Sequence, residues 1–235
     1  GQTASVRQTQ RDAKEKPPLN FDLTTLQREA NSMFSWSAKR TLGVAQDLYD
    51  SHKLTTYPRT DSRHLPEDMH EEISKIVRQL GAQDDYNSHS KRIVDDGMKN
   101  AGRNFDNKKV SDHFAIIPTS NSPQKLDAME LKIYNLILKR FIAVFYPPAE
   151  WDITTRITEV SDHSFKTEGK VLVDPSWLSI YGKDQGSEDT LPALSPEQDK
   201  EVKLLDSELI SDETKPPPRY NEATLLSAME GAGKH

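Results

Sequence analysis

The sequence predicts an α+β protein in which a helical middle interrupts two β-rich segments. Three observations carry that prediction. Apolar residues recur at spacings of three and four through residues 23–49, 65–80 and 123–145, the period of helices with one buried face. From Trp151 the period changes to two, with Ile153, Thr155 and Ile157 followed by Phe165, Thr167, Val171 and Val173, as in strands. Prolines at 17–18, 147–148 and 216–218 punctuate these regions, because proline lacks the N–H that helix interiors and inner strands require.

Taken in order, residues 2–11 alternate loosely around Val6 and Thr9 and read as one strand. The polar stretch from Lys14 to Pro18 breaks it. Phe21-Asp22-Leu23 leads into a helix whose apolar face is Leu23, Leu26, Ala30 and Phe34. Ser35 or Ser37 is placed to cap a second helix carrying Ala38, Leu42, Ala45, Leu48 and Tyr49. Two short helices followed by an extended segment suggest a helix-turn-helix or winged-helix arrangement, although a plain helical core fits the same pattern. Leu65-Pro66-Glu67-Asp68 opens another helix, with proline early and acids in the first turn. It continues through Met69, Ile73, Ile76, Val77 and Leu80 to Gly81.

Residues 82–109 mix charges of both signs with little periodicity and read as a loop-rich connection with room for a short turn of helix. Pro123-Gln124-Lys125-Leu126 starts the most regular helix, with the stripe Leu131, Tyr134, Leu138, Ile142 and Phe145. Residues 183–190 read as a polar loop and Val202-Lys203-Leu204 as a further strand. Lys215 to Pro218 reads as a stiff extended linker. A last helix starts at Asn221, a natural cap, and stops at Gly231 to Gly233.

Charged residues make up 29% of the 235 residues, and the net charge is −6. That balance argues against a protein that coats nucleic acid indiscriminately. A local basic patch is still open to it, drawn from Lys53, Arg59, Arg63, Arg103, Lys108 and Lys109. No apolar run approaches membrane-spanning length, and the N-terminus lacks the charged-then-apolar design of a signal peptide. Without cysteine there is no disulfide framework and no cysteine-based metal site. A cytoplasmic location fits these features.

The chemistry concentrates in Leu54-Thr55-Thr56-Tyr57-Pro58-Arg59-Thr60-Asp61-Ser62. Pro58 fixes its own φ and drives Tyr57 out of the helical region. In an extended segment Tyr57 and Arg59, two residues apart, share a face. A phenol beside a fixed cation is a candidate nucleophile, because the cation favours phenolate. The same guanidinium can hold a phosphate with paired hydrogen bonds. A Tyr-x-Arg triplet alone is weak evidence, since an amphipathic core tyrosine next to a surface arginine gives the same pattern.

Tyr57-Pro58-Arg59-Thr60-Asp61-Ser62 resembles the nucleophile segment of the type IA DNA topoisomerases. Asp112-His113-Phe114-Ala115-Ile116-Ile117-Pro118-Thr119 and the run from Tyr220 to Glu230 resemble two further blocks, in the order of the topoisomerase III branch. The resemblance includes Phe21 to Tyr49 and covers most of the chain. It implies an arch: a β domain split between residues 1–35 and 148–218, a helical, winged-helix-like insert at 36–147 carrying the tyrosine, and a further helical domain beginning at 219–235. It implies that Tyr57 attacks a phosphodiester of single-stranded DNA, leaving a 5′-phosphotyrosyl link and a 3′-hydroxyl. The link conserves the bond, so resealing needs no ATP.

By the same resemblance Arg59 stabilises phenolate and phosphorus, and His113 lies near the scissile phosphate with Asp112 placed to orient it. Thr60, Asp61 and Ser62 belong to the DNA-contacting motif, with Asp61 orienting Arg59 and Ser62 donating to a phosphate. Thr119 is placed to cap or to hold backbone, with no catalytic role. Asn221 stands at a position associated with phosphate contact, where many relatives have threonine, and Arg219 is a neighbouring candidate phosphate contact. The family's acidic Toprim domain, which binds Mg²⁺ and supplies the general acid, is not among these residues. The expected partners are therefore single-stranded DNA and that domain of the same protein, in a monomer at the bacterial nucleoid. Alone, these 235 residues are expected neither to cleave nor to hold metal. A noncatalytic DNA-binding module built on the helix-turn-helix-like region is the competing reading. A tyrosine recombinase fits less well, because there the tyrosine follows the arginines and histidine, whereas Tyr57 precedes His113.

Overall fold

In the computed structural model, which describes residues 3–82, 84–123, 125–184, 186–189, 191, 201–203, 205–206 and 208–232, the first strand finds its partners far along the chain. β1 (Thr3–Glu15) pairs antiparallel with β2 (Ala149–Val160) over its length, from Ser5 opposite Glu159 to Glu15 opposite Ala149. β2 pairs with β3 (His163–Asp174), β3 with β4 (Gly186–Asp189), and β1 with β5 (Glu201–Lys203), giving the order β4-β3-β2-β1-β5. The β2–β3 hairpin reverses through Ser161 and Asp162, both with positive φ, as the twist-matched two-residue turn requires.

Ala4 and Val6 are buried at one end of the sheet, and the large buried side chains of this unit gather at the other. Trp151, Leu172, Trp177, Leu178 and Ile180 are buried there, the last three from a 3-10 turn at Ser176–Tyr181. Glu15 serves both tryptophans. Its carboxylate accepts from Trp151 Nε1 and its carbonyl from Trp177 Nε1, each at 2.9 Å. β1 thus runs to Glu15, past the expected break at Lys14. Part of the expected polar loop at 183–190 is strand β4, which needs only the backbone of β3 to pair; Gln185 and Thr190 lie outside the described residues, as do Gln2 and Leu204 of the expected strands.

The chain divides into Gly1–Lys16 with Pro148–Pro217, and Pro17–Pro147 with Pro218–His235. The helical unit therefore begins at the proline pair rather than at residue 36. α1 (Leu23–Phe34) belongs to it, with Leu26 and Ala30 fully buried. Arg140 on α6 (Ala128–Ala143) helps tie this segment to the unit: it donates to the Leu19 carbonyl at 3.1 Å, pairs with Glu29 and sits 4.0 Å from the centre of the Phe21 ring. α2 (Ala38–Asp50) is capped by Ser37, whose hydroxyl accepts from Arg40 N; Ser35 instead ends α1 in the left-handed region.

α3 (His70–Leu80) follows a 3-10 turn at Glu67–Met69 and buries Ile73, Ile76, Val77 and Leu80. The expected connection at 82–109 contains α4 (Asn87–Asp96) and α5 (Ala101–Asn104). α4 buries only Ser90 and Ile93 and carries Lys91–Asp95 and Arg92–Asp96 ion pairs one turn apart, a support that hydrophobic periodicity does not register. α6 starts at Ala128, after a capping box in which Asp127 accepts from Met129 and Glu130 N while Glu130 accepts from Asp127 N. Of its expected start, Gln124 lies outside the described residues. Its buried stripe is wider than expected and leaves Leu131 exposed. α7 (Glu222–Gly231) packs on α1 within this unit, where Arg28 pairs with Glu230 at 3.1 Å and Asn31 accepts from Ala223 N, and it reaches the start of α2, where Glu222 accepts from Ala38 N. The expected terminator Gly233 lies outside the described residues.

Candidate active site: the Tyr57 loop

α2 ends at Asp50, and Lys53 turns the chain with φ 56°, a left-handed conformation that a lysine adopts only when held. Its carbonyl is held by Thr119 Oγ1 at 2.6 Å and Asn121 Nδ2 at 2.9 Å. Beyond it, residues 54–65 run extended beside residues 113–119. Thr119 N donates to Leu54 O at 2.9 Å, Thr56 N to Ile117 O at 3.0 Å, and Ala115 N to His64 O at 3.0 Å. Thr56 adds a hydroxyl that donates to Ala115 O and accepts from Ile117 N. The two blocks singled out in the sequence are thus stitched together, because each supplies the backbone partners the other lacks.

Between these stitches Tyr57 is half-buried. Its ring lies 4.4 Å from the His113 imidazole, at 47°, and meets Tyr49 of α2 edge-on at 5.3 Å. Arg59 is exposed and reaches the same helix, donating from Nε to Gln46 Oε1 at 3.3 Å. Gln46 and Tyr49 are three residues apart on α2, so the tyrosine and the arginine do share a face, the one directed at that helix. Lys53 Nζ lies 5.5 Å from the centre of the Tyr49 ring.

The following residues are committed differently from the expectation. Asp61 does not orient Arg59; its carboxylate accepts from Ser111 Oγ at 2.8 Å. Thr60 is 6% exposed, its hydroxyl donating to the His113 carbonyl at 3.0 Å and accepting from Ser62 N. Ser62 is 4% exposed and donates to the Lys109 carbonyl at 2.7 Å. Both hydroxyls therefore shape the loop, and the Ser62 donor is not presented to a phosphate. Asp112 is exposed, and among the described residues no hydrogen bond joins it to the His113 ring. Thr119 holds backbone, as read from the sequence.

Of the candidate basic patch, Arg63 donates to the Asp22 carboxylate at 2.9 Å, Lys109 pairs with Asp106 at 3.2 Å, and Arg103 donates to the Pro17 carbonyl. Arg63, His64 and Lys109 line an open cleft of about 400 Å³ with Leu19, Asp61 and Ser62. Burial lowers the pKa of His64, and the neighbouring Lys109 lowers it further. Asn221 caps α7, its Oδ1 accepting from Thr224 N at 2.8 Å, and Arg219 is exposed; neither makes a described contact with the Tyr57 loop. Among the described residues no three carboxylate, histidine or cysteine side chains gather as a metal ion would require.

Residues 1–233 match the family model described as DNA topoisomerase. The chain belongs to the DNA topoisomerase family. It is 41% identical to the DNA topoisomerase 3 of Shouchella clausii, covering 93% of this chain and 30% of that protein. It is 40% identical to the DNA topoisomerase 3 of Bacillus subtilis, covering 98% of this chain and 33% of that one. Among solved structures it resembles full-length topoisomerase I from Thermotoga maritima, with a TM-score of 0.71 and 25% identity over 99% of this chain and 38% of that one. The chain spans about a third of the length of the curated relatives it matches. The type IA fold and topoisomerase III-like branch read from the sequence blocks agree with these relatives.

At this candidate site, sequence reasoning missed Gln46 and gave Tyr49 only a core role. The signal was present: Gln46, Tyr49 and Asp50 fall at helical spacing along one side of α2, shortly before the tyrosine. No helix among the described residues is long and apolar enough to cross a membrane.

Proposed function

We propose that the complete protein is a type IA DNA topoisomerase whose nucleophile is Tyr57. The observation that carries this is the packing of the Tyr57 ring between His113 and Tyr49, with Arg59 fixed on the same face of α2. The Tyr57 oxygen attacks a phosphorus of single-stranded DNA. The new O–P bond forms as the bond from phosphorus to the 3′-oxygen breaks, the phenolic proton is lost, and the 3′-oxygen leaves as a hydroxyl. Free tyrosine, with a pKa of about 10, is phenolate to only about one part in a thousand at neutral pH, so the proton must be drawn off or the anion stabilised. Arg59 supplies a two-pronged donor for the phosphoryl oxygens and a charge for the phenolate. His113, in contact with the ring of the nucleophile, is placed to exchange a proton or to donate to the phosphate.

Resealing is the same displacement reversed, and between the two a second strand passes through the gap. Arg63, His64 and Lys109 offer a path for phosphates beside the loop, and Arg219 with the Asn221 amide offers further contacts. Mg²⁺ and the acid that protonates the leaving oxygen are supplied by a separate acidic domain of the complete protein, acting as a monomer on the nucleoid. The test is a denaturing gel of the complete protein with a labelled single-stranded oligonucleotide. A covalent adduct is expected from the native protein and none from Tyr57→Phe, with oligonucleotide binding retained. An adduct from Tyr57→Phe would overturn the assignment.

A further inference from the structure

Gln46 is half-buried on α2, and its amide is engaged on both sides. Oε1 accepts from Arg59 Nε at 3.3 Å, and Nε2 donates to the Asp50 carboxylate at 3.2 Å. A guanidinium only donates and an ionised carboxylate only accepts. One orientation of the amide therefore satisfies both partners, and turning it over forfeits both bonds. Nε is the inner nitrogen of the guanidinium. Tying it down fixes the plane of the group and leaves the two outer nitrogens as the fork that meets phosphate oxygens. Tyr49, three residues further on, meets the Tyr57 ring edge-on at 5.3 Å. One turn of α2 thus touches both reacting groups.

We propose that Gln46 is a positioning residue for Arg59, through which α2 sets the plane of the guanidinium fork relative to the Tyr57 ring. The inference rests on the reading of Tyr57 as nucleophile and Arg59 as phosphate clamp. Without Gln46, Asp50 has no donor in its place and Arg59, an exposed side chain on a long flexible stem, samples many rotamers. The charge stays in the neighbourhood while the geometry is lost. Clamps of this kind act through orientation, and misplacement by about 1 Å can cost on the order of 10²-fold in rate.

The experiment compares native, Gln46→Met, Arg59→Ala and doubly substituted forms of the complete protein. Methionine matches glutamine in length and in helix propensity, so α2 is retained. Single-turnover cleavage of a single-stranded oligonucleotide gives the rate, and fluorescence anisotropy gives its Kd. Gln46→Met is expected to slow cleavage on the order of 10-fold while Kd stays within about twofold. Added to Arg59→Ala, it is expected to cost nothing more, because a residue that acts through another has no effect once that one is gone. An unchanged rate in Gln46→Met, the same fold-loss in both backgrounds, or a loss wholly in Kd would each overturn the proposal. Tyr57→Phe is run beside them. An adduct from that variant strikes at the nucleophile, whereas full-rate cleavage by Gln46→Met with Tyr57→Phe inactive strikes only at Gln46.

Discussion

The imidazole of His113 lies against the ring of Tyr57, 4.4 Å between centres, although the two residues belong to different sequence blocks. The contact exists because Thr60 Oγ1 donates to the His113 carbonyl at 3.0 Å, fixing the histidine's backbone three residues after the tyrosine. The histidine is otherwise exposed.

His113→Ala in the complete protein is accordingly expected to slow cleavage on the order of 10²-fold, the lower range for one proton-transferring or phosphate-donating group. Oligonucleotide affinity should change far less. Single-turnover adduct formation with a parallel binding titration checks both, and a rate within about twofold of native would remove His113 from the chemistry.

Arg59→Lys retains the charge and loses the fork. An ammonium cannot hold two oxygens in one plane or keep the Nε bond to Gln46, so cleavage is expected to fall by about 10²–10³-fold, as for one lost transition-state donor. Burst kinetics on an oligonucleotide would measure it. Rates equal to native would argue against clamping of phosphate by Arg59.

Ser62→Ala is expected to act on stability. The hydroxyl donates to Lys109 O and accepts from His64 N, and losing these part-buried bonds is expected to cost about 1 kcal/mol. Chemical denaturation should show that loss, while the folded variant binds single-stranded DNA as the native chain does. Weakened binding at undiminished stability would mean that Ser62 faces a phosphate after all.

Acid should destabilise the helical unit through two histidines. His64 is depressed by burial first and by Lys109, Arg63 and Arg103, with Asp106 opposing. His89, 2.7 Å from the Tyr146 hydroxyl, is depressed by burial and by Arg92. Because the folded pKa lies below the unfolded value of about 6.5, the unfolded chain takes up more protons, and stability drops as pH falls from about 6.5 toward the folded values. Melting temperatures from pH 7.5 to 5 should fall less steeply in His64→Gln and His89→Gln than in the native chain. Parallel slopes would exclude both histidines as the cause.

The sequence displayed the helices that bury a regular stripe and the strands that alternate, because both patterns are written into neighbouring residues. It hid α4, whose support is ion pairing between exposed side chains, and β4, whose partner is a backbone already present. The proline pair at 17–18 marked the boundary, but α1 is tied to the helical unit by partners distant in sequence, among them Arg140, 111 residues beyond Glu29. At the candidate site, the blocks holding Tyr57, Arg59 and His113 stood out in the sequence, and the structure brings the Tyr57 and His113 rings together. The work of Thr60 and Ser62 was not legible, since their partners are backbone carbonyls 53 and 47 residues away, and no side chain advertises a carbonyl.

The stitching on both sides of Tyr57 also has a mechanical meaning. If a severed strand hangs from the phenolic oxygen while another is drawn past it, that oxygen becomes the point where tension enters the protein. On one side the pull passes through Thr56 and Leu54 into Ile117 and Thr119; on the other it passes through Thr60 into His113 and into Leu23 at the head of α1. These bonds share the load in parallel, so no single one must rupture before the others are strained. An attachment tethered from both directions can be tugged without being torn from its seat, and the severed end stays where it can be rejoined.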